Sequence, residues 1–159
     1  MKVNLIAVGS LKSDYLQAGV ADFEKRLQNY VDLKIVEVKA KKIRKNLSQA
    51  QQEQLKKEEA EELIAKLSNS SYSIALDSQG KPMTSVGLAK SIGNLQVQGY
   101  SELDFIIGGT LGLHNLIKEE ADYLLSLSHL TFTHEMVRLI ILEQIYRAFK
   151  IINGEEYHR

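Results

Sequence analysis

The chain has 159 residues, of which 44% are hydrophobic and 25% charged, enough for one domain with its own core and too few for two ordinary ones. Twenty basic residues cancel twenty acidic ones, which argues against capture of nucleic acid by bulk charge, and the lack of cysteine excludes disulfides, iron–sulfur clusters and thiolate nucleophiles. No apolar run approaches the roughly 20 residues of a membrane-spanning helix, and MKVNLIAVGS reads as a first strand and not as a leader, so a cytoplasmic protein is expected.

In chain order, residues 2–8 alternate and end at Gly9 like a strand, and 13–29 carry helical spacing through Leu16, Val20, Phe23 and Leu27. LKIVEV at 33–38 predicts a second strand. The run KAKKIRK (39–45) follows, with five cations in seven residues; it is a solvated loop or a phosphate contact through Lys41, Lys42 and Arg44. Ser48 is placed to cap a polar helix over 49–67, in which EEAEE (58–62) concentrates four anions. SYSIALD (71–77) predicts a third strand closed by the turn SQGKP, 84–97 a helix, and LDFIIGG (103–109) a fourth strand running into glycines. A short helix near 113–120, a brief strand near 123–128 and a last helix over 134–152 complete the pattern. Strands alternating with helices predict a single α/β domain over 1–159, with a mainly parallel sheet covered on both faces.

Three stretches carry the chemistry. FIIGGTLGL (105–113) sets Gly108, Gly109 and Gly112 between a strand and a helix, as G-G-x-x-G. That is neither the dinucleotide fingerprint nor the phosphate loop, and both a tight structural turn and a ligand cradle fit it. The last helix is apolar over more than one face, which suggests burial by a second partner. Arg138 lies about 140° around this helix from Glu143, on the apolar side, where its guanidinium needs an anion or backbone carbonyls; an intersubunit salt bridge, a ligand and an RNA phosphate each satisfy that need. HEMVR (134–138) begins like a zinc-hydrolase helix but has arginine where the second histidine belongs, and His114, His129 and His158 have no ligand spacing, so no metal is expected. No G-x-S-x-G elbow is present. The groups left for proton transfer or anion binding are His134, Tyr157, His158 and Arg159.

LIAVGSLK, ALDSQGK, FIIGGTLGL and the ending LSLSHLTFTHEMVRLIILEQIYRAFKIINGEEYHR together resemble, over nearly the full length, one group of SPOUT-class RNA methyltransferases. These are the bacterial 23S ribosomal RNA pseudouridine N3-methyltransferases, the large-subunit methyltransferase H family. The resemblance implies a homodimer with a C-terminal trefoil knot that holds S-adenosylmethionine in a bent form. It implies cofactor loops at Leu76, at Gly108 with Gly109 and Gly112, and at Leu127, Ser128, His129, Leu130, Thr131 and Phe132. Its substrate would be a pseudouridine in a stem-loop of 23S rRNA within the assembled ribosome, without membrane or metal. Thr110 and Thr133 depart from the family, which commonly has proline or serine and proline there.

Methylation at the weakly acidic N3 imide requires removal of its proton, alignment with the methyl donor, and charge stabilisation. The tail Tyr157, His158, Arg159 offers stacking, a proton acceptor and a cation, and is expected to fold over the cofactor near a dimer interface. His134, Arg138, Lys41, Lys42 and Arg44 are the expected RNA contacts. Two rivals remain: the same fold acting on a different RNA, and a non-enzymatic ribosome-binding or assembly factor.

Overall fold

The computed structural model describes residues 1–157. In chain order its elements are β1 (Lys2–Val8), α1 (Asp14–Leu27), β2 (Asp32–Val38), α2 (Gln49–Ile64) and β3 (Tyr72–Pro82), then α3 (Ser85–Val97), β4 (Glu102–Ile107), α4 (Asn115–Glu120), β5 (Tyr123–Ser126) and α5 (His134–Ile152). The strands form one sheet in the order β2-β1-β4-β3-β5, and all four pairings are parallel. The expected mainly parallel sheet is therefore parallel throughout.

Alternation along the central strands explains why both faces are covered. Val3, Leu5 and Ala7 of β1 and Leu103, Phe105 and Ile107 of β4 pack under α1, α3 and α5, in one core with Leu88, Ile92, Ile141 and Ile145. Ile6 and Val8, with Ile106 of β4, point the other way to Ala60 and Leu63 of α2 and Ile117 of α4. Each fully buried leucine or isoleucine contributes about 1.5–3 kcal/mol, which is why β1 and β4 read as unbroken apolar runs. α5 lies between α1 and α3; at the first contact a Cβ on Gly19 would stand 3.0 Å from the Leu139 side chain.

Local signals set most boundaries. Ser48 and Gln51 form a reciprocal capping box at the start of α2, and the Thr133 hydroxyl accepts the Met136 amide at 3.2 Å to begin α5. At the far end of α5, Gly154 adopts a φ of 68° and stops the helix. The third strand differs from expectation. SQGKP does not close it but lies inside it, because β3 continues to Pro82 with slipped pairing: Leu76 and Lys81 both face Leu125. The Asp77 carboxylate accepts the Gln79 amide at 2.8 Å and folds the extra residues outward. Gly80 then passes so close over β5 that a Cβ would lie 2.7 Å from the Leu124 carbonyl oxygen.

Candidate active site at the carboxyl ends of the strands

A cleft opens where β4 and β5 end and where the pairing of β3 slips after Leu76, at the carboxyl side of the sheet, where open parallel sheets take ligands. Leu76, Asp77 and Ser78 supply one wall and Ile107, Gly108, Gly109, Gly112 and Leu113 the floor. Leu127, Ser128, Leu130, Thr131 and Phe132 form the opposite side, and His134 and Val137 of α5 close it. Of the residues expected to hold a cofactor, the structure brings together Leu76, Gly108, Gly109, Gly112, Leu127, Ser128, Leu130, Thr131 and Phe132. It leaves His129 exposed and outside this lining.

The glycine stretch forms a turn at the floor of the cleft. It is a tight turn, because the Gly112 amide donates to the Gly109 carbonyl at 3.0 Å and Gly112 has a φ of 81°. It also lines the cleft. At Gly108 a Cβ would stand 2.9 Å from the Gly112 carbonyl carbon and 3.0 Å from the Leu113 amide, so only glycine lets the turn fold back on the strand. At Gly112 nothing lies within 4 Å of a Cβ position, and that side is open to the cleft.

Sequence reading missed Asp77, Ser78, Ile107, Leu113 and Val137. Asp77 was detectable, since it is the only residue of SYSIALD charged at neutral pH and stands at the carboxyl end of a predicted strand. Burial alone would raise its carboxyl, but Lys118 at 2.8 Å and the Gln79 amide hold it below the ordinary carboxylate range. An ionised carboxylate, a serine pair, a run of backbone amides and carbonyls, and apolar walls suit a bent nucleoside bearing a charged amino-acid arm. The chemistry of the lining therefore fits S-adenosylmethionine.

Arg138 is 1% exposed. Its guanidinium donates to the Val8 and Gly9 carbonyls at 2.9 and 2.6 Å and to the Glu37 carboxylate at 2.8 Å. The anion and carbonyls that sequence reading required are thus all intramolecular, and neither an RNA phosphate nor a second subunit is needed to satisfy the charge. Among the described residues its Nε has no partner. The neighbouring Glu135 accepts the Lys12 and Ser13 amides, at 2.8 and 3.3 Å, and so ties the β1–α1 connection to the same helix turn.

The cationic run is likewise partly engaged. Lys41 pairs with Glu62 and lies 4.0 Å from Glu58, and its amide donates to the Glu59 carboxylate at 2.9 Å. Through Lys41, KAKKIRK and EEAEE thus neutralise each other in part across the start of the β2–α2 connection, a pairing the sequence reading did not include. Lys42 and Arg44 are exposed. Lys12, Lys39, Lys41 and Lys42 line a separate groove with Gly9, Ser10 and Glu37, and His134 closes its inner end.

Tyr157 packs back on its own helix. Its ring meets Tyr146 edge-on at 4.9 Å, the Arg147 guanidinium lies 4.7 Å from the ring centre, and its hydroxyl donates to Glu143 at 3.4 Å. Glu143 is nine residues along α5 from His134, or about 14 Å at helical rise, so Tyr157 is held away from the cleft of its own subunit. The other two expected tail residues, His158 and Arg159, lie outside the described residues.

Comparison with known proteins agrees with this layout. The family model described as Predicted SPOUT methyltransferase matches residues 1–158. The chain is 55% identical to a ribosomal RNA large subunit methyltransferase H of Halothermothrix orenii and 46% identical to one of Clostridioides difficile, each over 159 residues and all of both chains. Among solved structures, a probable methylase family protein from Haemophilus influenzae aligns at a TM-score of 0.57 and 12% identity, over 99% of this chain and 70% of that one. A probable methyltransferase from Bordetella pertussis aligns at 0.57 and 12%, over 93% and 96%. These two likenesses speak to the fold alone.

Proposed function

The chain belongs to the SPOUT methyltransferase family, and within it to the ribosomal RNA large subunit methyltransferase H group, and from that premise we propose that it methylates N3 of a pseudouridine in a 23S rRNA stem-loop. The reaction uses S-adenosylmethionine and takes place on the assembled ribosome, in the cytoplasm. One observation carries the reading. Three segments far apart in sequence, at Leu76, at Gly108–Gly112 and at Leu127–Phe132, converge on a single cleft whose chemistry suits that cofactor.

In this reading Leu76, Leu127 and Val137 flank the adenine. The backbone between Leu127 and Phe132 hydrogen-bonds its edge, and Asp77 and Ser128 take the polar groups of the ribose and amino-acid arm. The bound cofactor supplies an electrophilic sulfonium methyl. The chain must bring N3 into line with it, keep water out, accept the imide proton through a histidine and offset the negative charge that develops. Leu130, 72% exposed, and Phe132 offer apolar surface at the rim for a base to cover. The connection from β5 to α5 runs from the sheet edge to the end of β1, and we read this passage as the one that threads the trefoil knot.

We assign the tail Tyr157, His158, Arg159 to the substrate side of the cleft in a homodimer. Support comes from the distance between Tyr157 and its own cleft, together with the half-buried Met136 and Ile140 of α5, which belong to neither core. A two-fold axis that sets the end of one α5 beside the start of the other covers those residues and carries the tail to the partner subunit's cleft. Lys42 and Arg44 are placed to touch phosphates, and the ribosome completes a binding surface that a protein of zero net charge cannot supply alone.

The test is mass spectrometry of 23S rRNA from a strain lacking the protein. Loss of one methyl from one pseudouridine, restored by the gene in trans, is the expected result; an unchanged modification pattern would overturn the reading. Saturable uptake of S-adenosylmethionine in calorimetry separates the enzyme from a binding-only assembly factor.

A further inference from the structure

We propose that His134 is the proton acceptor for the target imide; the inference rests on the methyltransferase reading and assigns one step within it. The chain has four histidines, three of them described. His114 is occupied in capping α4, its Nδ1 accepting the Leu116 amide at 3.1 Å with Glu53 at 3.8 Å on its other side. His129 is exposed and outside the cleft lining. His134 stands in the first turn of α5, half-buried, and among the described residues it alone lines both the cofactor cleft and the lysine-bearing groove.

That position is what the reaction requires. Lys12, Lys39 and Lys42 suit the phosphates of a nucleotide lying in the groove, and the imidazole is the side chain that this groove shares with the cleft that would receive its base. The His134 Nε2 is 3.8 Å from the Cβ position of Gly9, itself a groove residue, so this nitrogen faces the groove side, and no described residue hydrogen-bonds to the ring.

The surrounding charges favour the neutral ring. Burial is the largest cause that lowers the His134 pKa below its ordinary value; Arg138 and Lys12 add to it, and Glu135 opposes them. From the β2 side the groove presents Glu37 against Lys39, Lys41 and Lys42. Glu37 is drawn to Arg138 and Lys41 to Glu62, which leaves Lys39 and Lys42 as the groove's other cations on that side. In the step, the neutral ring takes the N3 proton while the N3 lone pair forms the new bond to the methyl carbon. The bond from that carbon to the sulfonium breaks with its electron pair retained by sulfur. The imidazolium then returns its proton to solvent.

Three measurements test this: NMR titration of labelled histidine rings in the cofactor-free protein, single-turnover methyl transfer against pH for wild type, His134→Asn, His134→Gln and His158→Asn, and calorimetric uptake of S-adenosylmethionine by the His134 variants. His134 should titrate below about 6.5. Wild-type rates should fall on the acid side as it protonates, and both His134 variants should lose about 100-fold or more in rate together with that acid limb. Their uptake of S-adenosylmethionine should stay within a few fold of wild type, which establishes that they fold, while His158→Asn keeps the limb. Retention of the acid limb in the His134 variants, or titration of His134 at or above the ordinary value, overturns the proposal. A wild-type protein that binds its RNA but transfers no methyl at any pH defeats the methyltransferase reading itself.

Discussion

Arg138 on the last helix meets Glu37 on the second strand at 2.8 Å, and the same guanidinium holds the carbonyls that end the first strand. The two partners are unequal, because the arginine is 1% exposed while the Glu37 side chain is 43% exposed. Arg138→Ala removes the donors that satisfy two strand-end carbonyls and leaves a void, and is expected to cost about 3 kcal/mol in chemical denaturation. Glu37→Gln should cost under about 1 kcal/mol, since water replaces the lost charge. Equal losses would mean that the ion pair, and not the strand-end hydrogen bonding, fastens α5 to the sheet.

Gly108→Ala should abolish measurable uptake of S-adenosylmethionine. A Cβ at 2.9 Å from the Gly112 backbone forces the turn open, because backbone, unlike a flexible side-chain tip, cannot swing aside. Calorimetry reads the loss, and a thermal melt alongside it should show a drop of a few degrees, not unfolding. Uptake within twofold of wild type would mean that the cofactor does not depend on this turn.

Glu59 supplies a pH signature. Burial raises its carboxyl above the ordinary value, opposed by the Lys41 amide and charge. The folded state therefore holds this proton to higher pH than the unfolded state does. Stability from this group is present below the unfolded pKa and is lost as pH rises through the folded one. Glu59→Gln removes the charged form and keeps an oxygen for the Lys41 amide. It should be at least as stable as wild type at pH 7, and that advantage should shrink toward pH 4. A variant destabilised at pH 7 and not at pH 4 contradicts the sign.

Mixed dimers decide whether the tail serves its own subunit or the other. A chain cut after Glu156 and a chain carrying Gly108→Ala should each be inactive alone. When they are co-expressed and the mixed dimer is purified through distinct tags, the tail of one subunit and the cleft of the other make one complete site. About half of wild-type turnover is then expected. No recovery would place the tail over its own cleft.

How much of this was legible depends on the range of the interaction. The boundaries of β1 and α5 and the start of α2 follow from neighbours in sequence, such as the Ser48 and Gln51 box or Thr133 before a broad apolar run, whereas α2, expected to 67, ends at Ile64. The residues expected to hold a cofactor were named through resemblance, because backbone amides and glycines carry little side-chain signal; the structure brings most of them to one cleft. The partners of Arg138 were not legible: helical spacing placed it on the apolar side and demanded carbonyls or an anion. Nothing local indicates that those carbonyls belong to Val8 and Gly9. The slipped pairing of β3 escaped for a similar reason, since SQGKP is sound turn chemistry whether it ends a strand or bulges from one.

The hydrogen bond from Arg138 to Val8 joins positions 130 residues apart. On a translating ribosome, at about 5–20 residues per second, β1 waits many seconds before the helix that seals its end emerges. The cleft that this helix closes cannot form before the helix emerges, and such distant closure makes for slow folding. An enzyme proposed to act on finished ribosomes thus completes its own site only after its last described helix has left one.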